Sequence, residues 1–523
     1  MSKSATIIGG GHNGLVCAAY LARTGMQVTV LERRSVLGGA AVTEEFYPGF
    51  RNSIASYTVS LLHPKIINEL DLPRHGLRII PRRINNYLPL PGGDALAAYA
   101  DSEAFNREVA RHSITDVEKL GQYNELLQAV RPVIRELMLQ TPPALQDGGL
   151  ADLWKLFSIN RTFKQLTGEQ KQFLLNLFSR SAGEILEDWF DAAPLQALLG
   201  WDAVVGNFAS PYAAGSGYVL LHHVIGEVNG VGGQWGHAVG GMGAISQAIM
   251  RAGSRAGVHF RTGCEVSTVI IEDGKTRGVT LSNGESIMSD LVVANVTPPL
   301  LFLQLIDGDL LAPEIKTHFQ HYKCRSGSFR MNVALSELPC FTTRTVDHYL
   351  ESGILIAPDL AYMDSAWLDA RQSGWPEKPI VEMLIPSTVD DTLAPPGQHV
   401  ASLFCQQFDP GLGAAWEQHR EAAADRIIDT VNEYAPNFKA SILGRQVLSP
   451  WDLEQVFGLT GGDIFHGRLS PEQLFSARPR LGMGQYRTPF QNLYMCGSGT
   501  HPGGGVSGVP GHNAAREILR DNP

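Results

Sequence analysis

The sequence predicts an α/β fold in which a discontinuous Rossmann-type domain carries an inserted α+β domain. Strand-like runs joined to glycine loops and helices predict the first domain, and they occur in three separated stretches: residues 4–40, about 233–300 and about 490–520. Between them, apolar residues at helical spacing dominate 100–200, and strand-like runs dominate 320–410. The predicted division is a Rossmann-type domain at 1–75, 233–300 and 450–523, and an inserted domain at 76–232 and 301–449.

Composition and charge exclude some classes of protein. The formal net charge is -10, which argues against a nucleic-acid partner because phosphate binding needs clustered Lys and Arg. The six cysteines are scattered without a CxxC pair or metal-like spacing, which suits free thiols in a reducing compartment and predicts no metal site. We find neither a signal-like N-terminus nor an apolar run of about 18 residues. We therefore expect a cytoplasmic protein, while peripheral membrane contact stays open.

The first glycine loop, at residues 9–14 (GGGHNG), lies between a predicted strand and a predicted helix and matches GxGxxG. Gly9 permits a tight turn, and Gly11 lets the backbone approach a pyrophosphate. Gly14 lets the helix pack close to the sheet. The N-terminus of that helix offers free N–H groups and a positive dipole end to phosphates. The loop therefore predicts a dinucleotide site.

The strand after this helix ends in Glu32. A carboxylate there accepts hydrogen bonds from ribose hydroxyls and would repel a 2′-phosphate, which disfavours NADP. The chain continues through Arg33 to the pair Gly38-Gly39, which lets backbone lie against a cofactor that extends beyond the adenosine. This extension is characteristic of FAD enzymes of the glutathione-reductase-like superfamily. We therefore predict FAD and a glutathione-reductase-like form of the Rossmann domain.

The last glycine loop spans residues 497–511, after a predicted strand and before a helix predicted from about 512 to 520. Each glycine costs backbone entropy, so a loop with this many glycines needs a functional reason. We interpret the loop as backbone that presses against a flat ring and a ribityl chain. The N-terminus of the helix would face the flavin N1/O2 edge and stabilise the anionic reduced flavin.

The run GSGTHPGGG at 497–505, with Val509 and Gly511, resembles the C-terminal flavin signature of the bacterial phytoene desaturase (carotenoid desaturase) family. The N-terminal loop, Gly38-Gly39 and the central run at 240–242 occur in the order typical of that family. The resemblance covers the whole chain. It is closer to the phytoene-dehydrogenase-like group that includes pyridine nucleotide-disulphide oxidoreductase domain-containing protein 2, through YVLLHH at 218–223, QWG at 234–236 and GGDIFHG at 461–467.

The resemblance implies dehydrogenation by FAD, in which hydride leaves to flavin N5 and a neighbouring proton is lost. The implied substrate is a small organic molecule of apolar or mixed character. The chain has no second dinucleotide fingerprint, so we expect oxygen or a quinone to reoxidise the flavin. The position of Val266 corresponds to the residue whose backbone pairs with the adenine ring in FAD enzymes of this superfamily. The predicted cofactor contacts are Gly9, Gly11, His12, Asn13, Gly14, Glu32, Arg33, Gly38, Gly39, Gly241, Met242, Val266, Gly497, Thr500, His501, Gly504, Gly505 and Val506.

Three side chains are candidates for the proton chemistry, which needs a base within hydrogen-bond reach of the reacting carbon. His501 lies in the flavin loop, and His466 lies on the glycine-rich loop before it. Histidine is the usual choice because its pKa is near neutral. Lys323 is the third candidate, since amine-oxidising flavoenzymes keep a lysine near flavin N5. Alternatively, either histidine has a structural role. Lys323 could equally be a solvated charge at the edge of a strand.

Two other functions remain open at this point. A flavin amine oxidase shares the predicted fold and would be reduced by amines. A non-enzymatic scaffold or partner-binding protein would retain a flavin that no candidate substrate reduces.

Overall fold

The computed structural model describes residues 2–145 and 149–523. Distant segments of the chain form one parallel sheet, whose strands in spatial order are His259–Arg261, Gln27–Leu31, Ser4–Ile8, Leu291–Ala294 and Leu493–Met495. In the register of this sheet, Ile8 lies opposite Leu31 on one side and Ala294 on the other. Parallel strands end at one edge, so the loops that follow them lie side by side. The mixed α/β architecture predicted from the sequence is confirmed.

Helices from both ends of the chain and from its middle cover this sheet. Helix His12–Ala22 packs against helices Gly243–Arg255 and Val509–Asp521. The last helix begins a few residues before its predicted start, because Pro510 is compatible with the first turn of a helix. A Cβ on Gly511 would lie 2.1 Å from the carbonyl oxygen of Asn13, so the first and last helices approach closely at this glycine.

A second sheet contains seven strands: Ile442–Leu448, Ser328–Leu335, His399–Gln406, Ile380–Leu384, Gly353–Ile356, Ile84–Pro89 and Ala95–Tyr99. Neighbours are antiparallel except Gly353–Ile356 and Ile84–Pro89. Only part of this sheet comes from the stretch 320–410 that the sequence predicts as strand-rich. The other strands come from 84–99 and 442–448, because a sheet recruits strands by pairing and not by position in the chain.

Strand Ser328–Leu335 is buried at every position, although it carries a charge and several polar groups. Phe329, Met331 and Val333 pack in an apolar core beneath helix Trp416–Tyr434. Successive side chains of a strand point to opposite faces, so Arg330 lies on the other face. That face meets the segment around Tyr57, where the guanidinium of Arg330 stacks on the tyrosine ring.

The remaining strands form small antiparallel units: Val266–Glu272 with Lys275–Leu281 and Ser286–Met288; Thr43–Tyr47 with Phe50–Ser53; Ile79–Pro81 with Gly236–Ala238; and Glu227–Val228 with Val231–Gly232. The remaining α-helices are Pro64–Glu69, Ser102–Ala110, Ile114–Leu139, Leu150–Lys164, Gly168–Ser179, Ala182–Trp189, Ala193–Val204, Ser216–Val224, Pro298–Leu300, Pro313–Gln320, Leu360–Ser373 and Pro450–Phe457. Within residues 2–145 and 149–523, no helix has both the length and the apolar character that a membrane crossing requires.

Gly14 determines how closely the first helix approaches the sheet. A Cβ there would lie 2.4 Å from the carbonyl oxygen of Gly9 and 2.7 Å from Nδ2 of Asn295. The Nδ2 of Asn295 also donates to that carbonyl oxygen over 3.0 Å, so the side chain has little freedom to move away.

Gly14→Ala is therefore expected to destabilise the protein by about 1–3 kcal/mol, the usual cost of overpacking. Thermal unfolding of the flavin-loaded protein should show a lower midpoint. Gly121→Ala is the matched control, because Gly121 lies on helix Ile114–Leu139 with open space around its Cα. Alanine is the better helix former, so the control should unfold at the same temperature or higher. Equal midpoints for the two variants would contradict the packing role of Gly14.

Candidate active site

A cavity of about 540 Å³ begins at the edge of the parallel sheet where the strands end, and it continues to the segment 55–61 and Phe404 of the seven-stranded sheet. Its volume is in the range of small-molecule sites. It contains the following predicted cofactor contacts: Gly9, Gly11, His12, Asn13, Glu32, Arg33, Gly39, Val266, Gly505 and Val506.

Glu32 lies in the cavity wall with only 6% of its surface exposed. One carboxylate oxygen accepts a hydrogen bond from the Gly10 N–H over 2.8 Å, and the other accepts one from the Arg34 N–H over 2.9 Å. A carboxylate oxygen has two acceptor sites, so each oxygen can accept one further donor. Two backbone donors thus hold the carboxylate in place while it retains capacity for hydroxyl groups.

Two asparagines join the loops that the parallel sheet brings together. Asn13 Nδ2 donates to Ser498 Oγ over 3.0 Å, which links the first glycine loop to the last. Asn295 Nδ2 donates to the carbonyl oxygen of Gly9, which links the middle segment to the first loop. Asn295 and Ser498 line the cavity, yet sequence reasoning missed both as site residues. An asparagine or serine after a strand has no spacing signature that marks it in advance.

Several predicted contacts do not line the cavity. Gly38 lies beside the first loop, where its N–H donates to the carbonyl oxygen of Gly10 over 2.8 Å. Gly241 and Met242 pack on the hairpin Thr43–Tyr47 and Phe50–Ser53, and the Met242 N–H donates to Ser53 Oγ over 2.9 Å. The others that lie outside the lining are Gly14, Gly497, Thr500, His501 and Gly504.

Two histidines that line the cavity each carry a buried ring nitrogen. His12 Nε2 and His466 Nδ1 have no hydrogen-bond partner in the part of the chain that the structure describes. Burial lowers the pKa of His12 to about 4, although a hydrogen bond with the Gly505 backbone opposes the shift. Burial also lowers the pKa of His466 to about 3, and the nearby His12 adds to that shift. Both imidazoles are therefore neutral at pH 7.

The other two candidates for proton chemistry lie elsewhere. His501 is buried outside the cavity lining, and its Nε2 lies 3.0 Å from the carbonyl oxygen of Leu137. Burial lowers its pKa to about 4. Lys323 is half exposed, and its Nζ pairs with Glu472 Oε1 over 2.7 Å. The structure does not bring Lys323 to the cavity, because its side chain extends to the surface where this carboxylate holds it.

The cavity wall opposite the edge of the parallel sheet is aromatic and apolar. Tyr57 stacks on Phe404 with a ring separation of 4.8 Å and an interplanar angle of 21°. Trp235 and Phe465 line the same cavity. Sequence reasoning missed Tyr57 and Phe404, because an aromatic residue in a loop or a strand is usually part of a core.

Buried positive charge lies behind this aromatic wall. Arg330 is 1% exposed, and its guanidinium stacks 4.9 Å from the Tyr57 ring centre and donates to the Leu403 carbonyl oxygen over 2.7 Å. Burial lowers its pKa to about 10, so it remains charged at pH 7. Among the described cavity residues, the acids are Glu32 and Glu265, and both adjoin the Rossmann-type fold.

Arg478 holds the loops of the cavity wall together. Its guanidinium is fully buried and donates to the carbonyl oxygens of Phe465 over 2.6 Å, Gly467 over 3.1 Å, Gln473 over 3.2 Å and Ser498 over 2.8 Å. One buried cation thus joins the loop that carries His466 to the last glycine loop.

A family profile of flavin containing amine oxidoreductases matches residues 14–328, more than half of the chain. The chain belongs to this family. It is therefore a flavin-dependent oxidoreductase with FAD as its cofactor, and a small organic molecule is the class of substrate that the family indicates.

The comparison with known proteins also confirms the predicted resemblance. The chain is 39% identical to pyridine nucleotide-disulfide oxidoreductase domain-containing protein 2 of Rattus norvegicus, over 99% of this chain and 93% of the relative. It is 25% identical to one of the subunits of a limonene dehydrogenase from Castellaniella defragrans, over 98% and 94% of the two chains. It is 23% identical to the lycopene-forming phytoene desaturase of Paracoccus sp., over 98% and 95%.

Among solved structures, the fold is similar to cyclohexylamine oxidase from Brevibacterium oxydans. The TM-score is 0.59 at 15% sequence identity, and the match covers 100% of both chains. This similarity shows the fold alone.

Arg478→Met is expected to destabilise the protein by more than about 3 kcal/mol, because it leaves several buried carbonyl oxygens without a donor. Thermal unfolding with flavin bound should show a large fall in the midpoint. Arg74→Met is the control, because the Arg74 side chain is 80% exposed and should have little effect. An Arg478→Met protein that unfolds at the temperature of the control would contradict the bridging role.

Proposed function

We propose that this protein is an FAD-dependent dehydrogenase that removes hydride and a proton from an apolar or mixed organic substrate, in a desaturation-like reaction. The observation that carries the proposal is the continuity of one cavity from the dinucleotide edge to an aromatic wall with buried cations behind it. An uncharged carbon skeleton suits that wall better than an ammonium ion does. Two relatives named for limonene and phytoene support the same choice of substrate class.

The cavity residues fit FAD in a glutathione-reductase-like arrangement. The Glu32 carboxylate would accept hydrogen bonds from the ribose hydroxyls, and the N-terminus of helix His12–Ala22 would hold the pyrophosphate. The buried, unpartnered Asn13 Oδ1 and His12 Nε2 provide polar groups for the cofactor. Val266 would lie at the adenine end and Gly505 at the flavin end. When bound, FAD supplies the hydride acceptor, and we expect oxygen or a quinone to regenerate it.

The remaining residues provide the environment of the reaction. The segment 55–61 and Phe404 would orient the substrate and exclude water. His466 stays within the proposal as a neutral group at the cavity wall, whereas His501 would support the last glycine loop through its contact with Leu137. In this arrangement, the predicted Rossmann-type domain binds the cofactor, and its segment 55–61 encloses the substrate together with Phe404 of the inserted domain.

An amine oxidase is the second candidate, because the family description names amines. The two functions differ in the class of molecule that reduces the flavin, so one experiment separates them.

The test is an anaerobic absorbance titration of the flavin-loaded protein with limonene, phytoene, a long-chain alcohol and cyclohexylamine. We expect loss of the oxidised flavin band with limonene or phytoene. Bleaching by cyclohexylamine alone would instead support the amine oxidase. A bound flavin that no member of this panel reduces would contradict both enzyme functions and favour a flavin-retaining scaffold.

Glu32→Ala is expected to weaken FAD binding by at least about tenfold, since a hydrogen bond to a charged group contributes about 1.5–3 kcal/mol. FAD titration of the deflavinated protein, followed by flavin fluorescence, measures the dissociation constant. Glu285→Ala is the control, because Glu285 is an exposed acid paired with Arg261. An unchanged FAD affinity in Glu32→Ala would contradict the proposed ribose contact.

A further inference from the structure

Tyr57 stands between the cavity and a buried carboxylate. The residue lines the cavity, and its hydroxyl donates a hydrogen bond to Glu382 Oε2. The ring stacks on Phe404, with 4.8 Å between ring centres, and its centre lies 4.9 Å from the guanidinium of Arg330. Glu382 is 3% exposed and does not line the cavity, so Tyr57 is its link to that space.

Glu382 does not form a close ion pair with the nearby Arg82, so its carboxylate can act as a proton acceptor. Arg82 Nη1 lies 3.7 Å from Glu382 Oε1, which is longer than a hydrogen bond. Arg82 Nη2 instead donates to Thr58 Oγ1 over 2.8 Å. Burial raises the pKa of Glu382, although Arg82, Tyr57, Arg330 and Trp201 each oppose the shift.

The neighbouring histidines are weaker bases than this carboxylate. The pKa of His466 is lowered to about 3 and that of His12 to about 4, whereas that of Glu382 lies above its ordinary value of 4.5. A second buried acid, Asp202, lies near Glu382, and burial followed by the charge of Glu382 raises its pKa to about 8. Asp202 is therefore largely protonated at pH 7.

We propose that Tyr57 and Glu382 together accept the proton that the substrate releases as its hydride leaves. This assignment rests on the proposed dehydrogenase function and names the group that completes it. The proton on the second carbon passes to Tyr57 Oη while the Tyr57 hydroxyl proton passes to Glu382. The electron pair of that C–H bond becomes the new C=C bond, and the hydride carries the other pair to the flavin. Tyr57 ends neutral, and Glu382 ends protonated.

The variants are Tyr57→Phe and Glu382→Gln, each purified with its flavin. Tyr57→Phe preserves the ring and its stacking, and it remains informative if Glu382→Gln does not fold. Tyr87→Phe is the matched control. Tyr87 is a buried tyrosine of the seven-stranded sheet that also contains Glu382, and its hydroxyl contacts Thr343 and Arg344 away from the cavity.

The first readout is the limiting rate of anaerobic flavin reduction by limonene and by phytoene. We expect both variants to be slower by about 100-fold or more, the usual contribution of a general base, with little change in the apparent dissociation constant. The rate of the wild-type protein should fall as the pH drops through the raised pKa of Glu382. The pH profile of Tyr57→Phe should lack this acidic limb. The groups that face Glu382 and shape this limb are Arg82, Arg330, Asp202, Trp201 and Tyr57.

The second readout needs no substrate. Infrared difference spectra across a pH titration should show a protonated carboxylic acid above the ordinary glutamate range, with a band that disappears in Glu382→Gln. In Tyr57→Phe this band should persist to higher pH, because the lost hydroxyl no longer stabilises the carboxylate.

Wild-type reduction rates in Tyr57→Phe, or an ordinary titration of Glu382, would overturn the assignment while leaving the dehydrogenase intact. Failure of limonene and phytoene to reduce the wild-type flavin would instead overturn the proposed function, and the assignment with it.

Discussion

The parallel pairing of three strands from distant parts of the chain is the constraint on which the cavity depends. Strand Ser4–Ile8 pairs with Leu291–Ala294, which in turn pairs with Leu493–Met495. Buried backbone groups require hydrogen-bond partners, so this register cannot shift without a large cost. It places the first glycine loop, Asn295 and the last glycine loop at one edge. The cavity wall there is assembled from residues hundreds of positions apart.

The walls of the cavity depend on buried cations that have mostly neutral partners. Arg478 is bound by backbone carbonyl oxygens, and Arg330 by a carbonyl oxygen, the Ser402 hydroxyl and the face of Tyr57. These contacts hold the guanidinium groups in place without neutralising them. Positive charge therefore remains close to the aromatic end of the cavity. That charge stabilises the ionised form of the neighbouring Glu382.

Sequence reasoning is most effective where a local motif carries its own geometry. GxGxxG, the acid at Glu32 and the last glycine run are recognisable because loop, strand and helix follow within a few residues. It was less effective for side chains whose place depends on packing. Gly241 belongs to a glycine run, yet the structure packs it on a hairpin outside the cavity. Lys323 is of the residue type that amine-oxidising flavoenzymes keep near the flavin, but its ion pair with Glu472 holds it at the surface.

The sequence by itself determined the α/β class, the flavin cofactor and the oxidoreductase family, because these depend on short motifs and their order along the chain. The tertiary structure alone decided which buried groups meet at the aromatic end of the cavity. Tyr57 and Glu382 are separated by 325 positions in the chain and form a hydrogen bond only after the segment 55–61 has packed on the seven-stranded sheet. Neither residue belongs to a motif. Their chemistry arises from mutual burial, which no local pattern encodes.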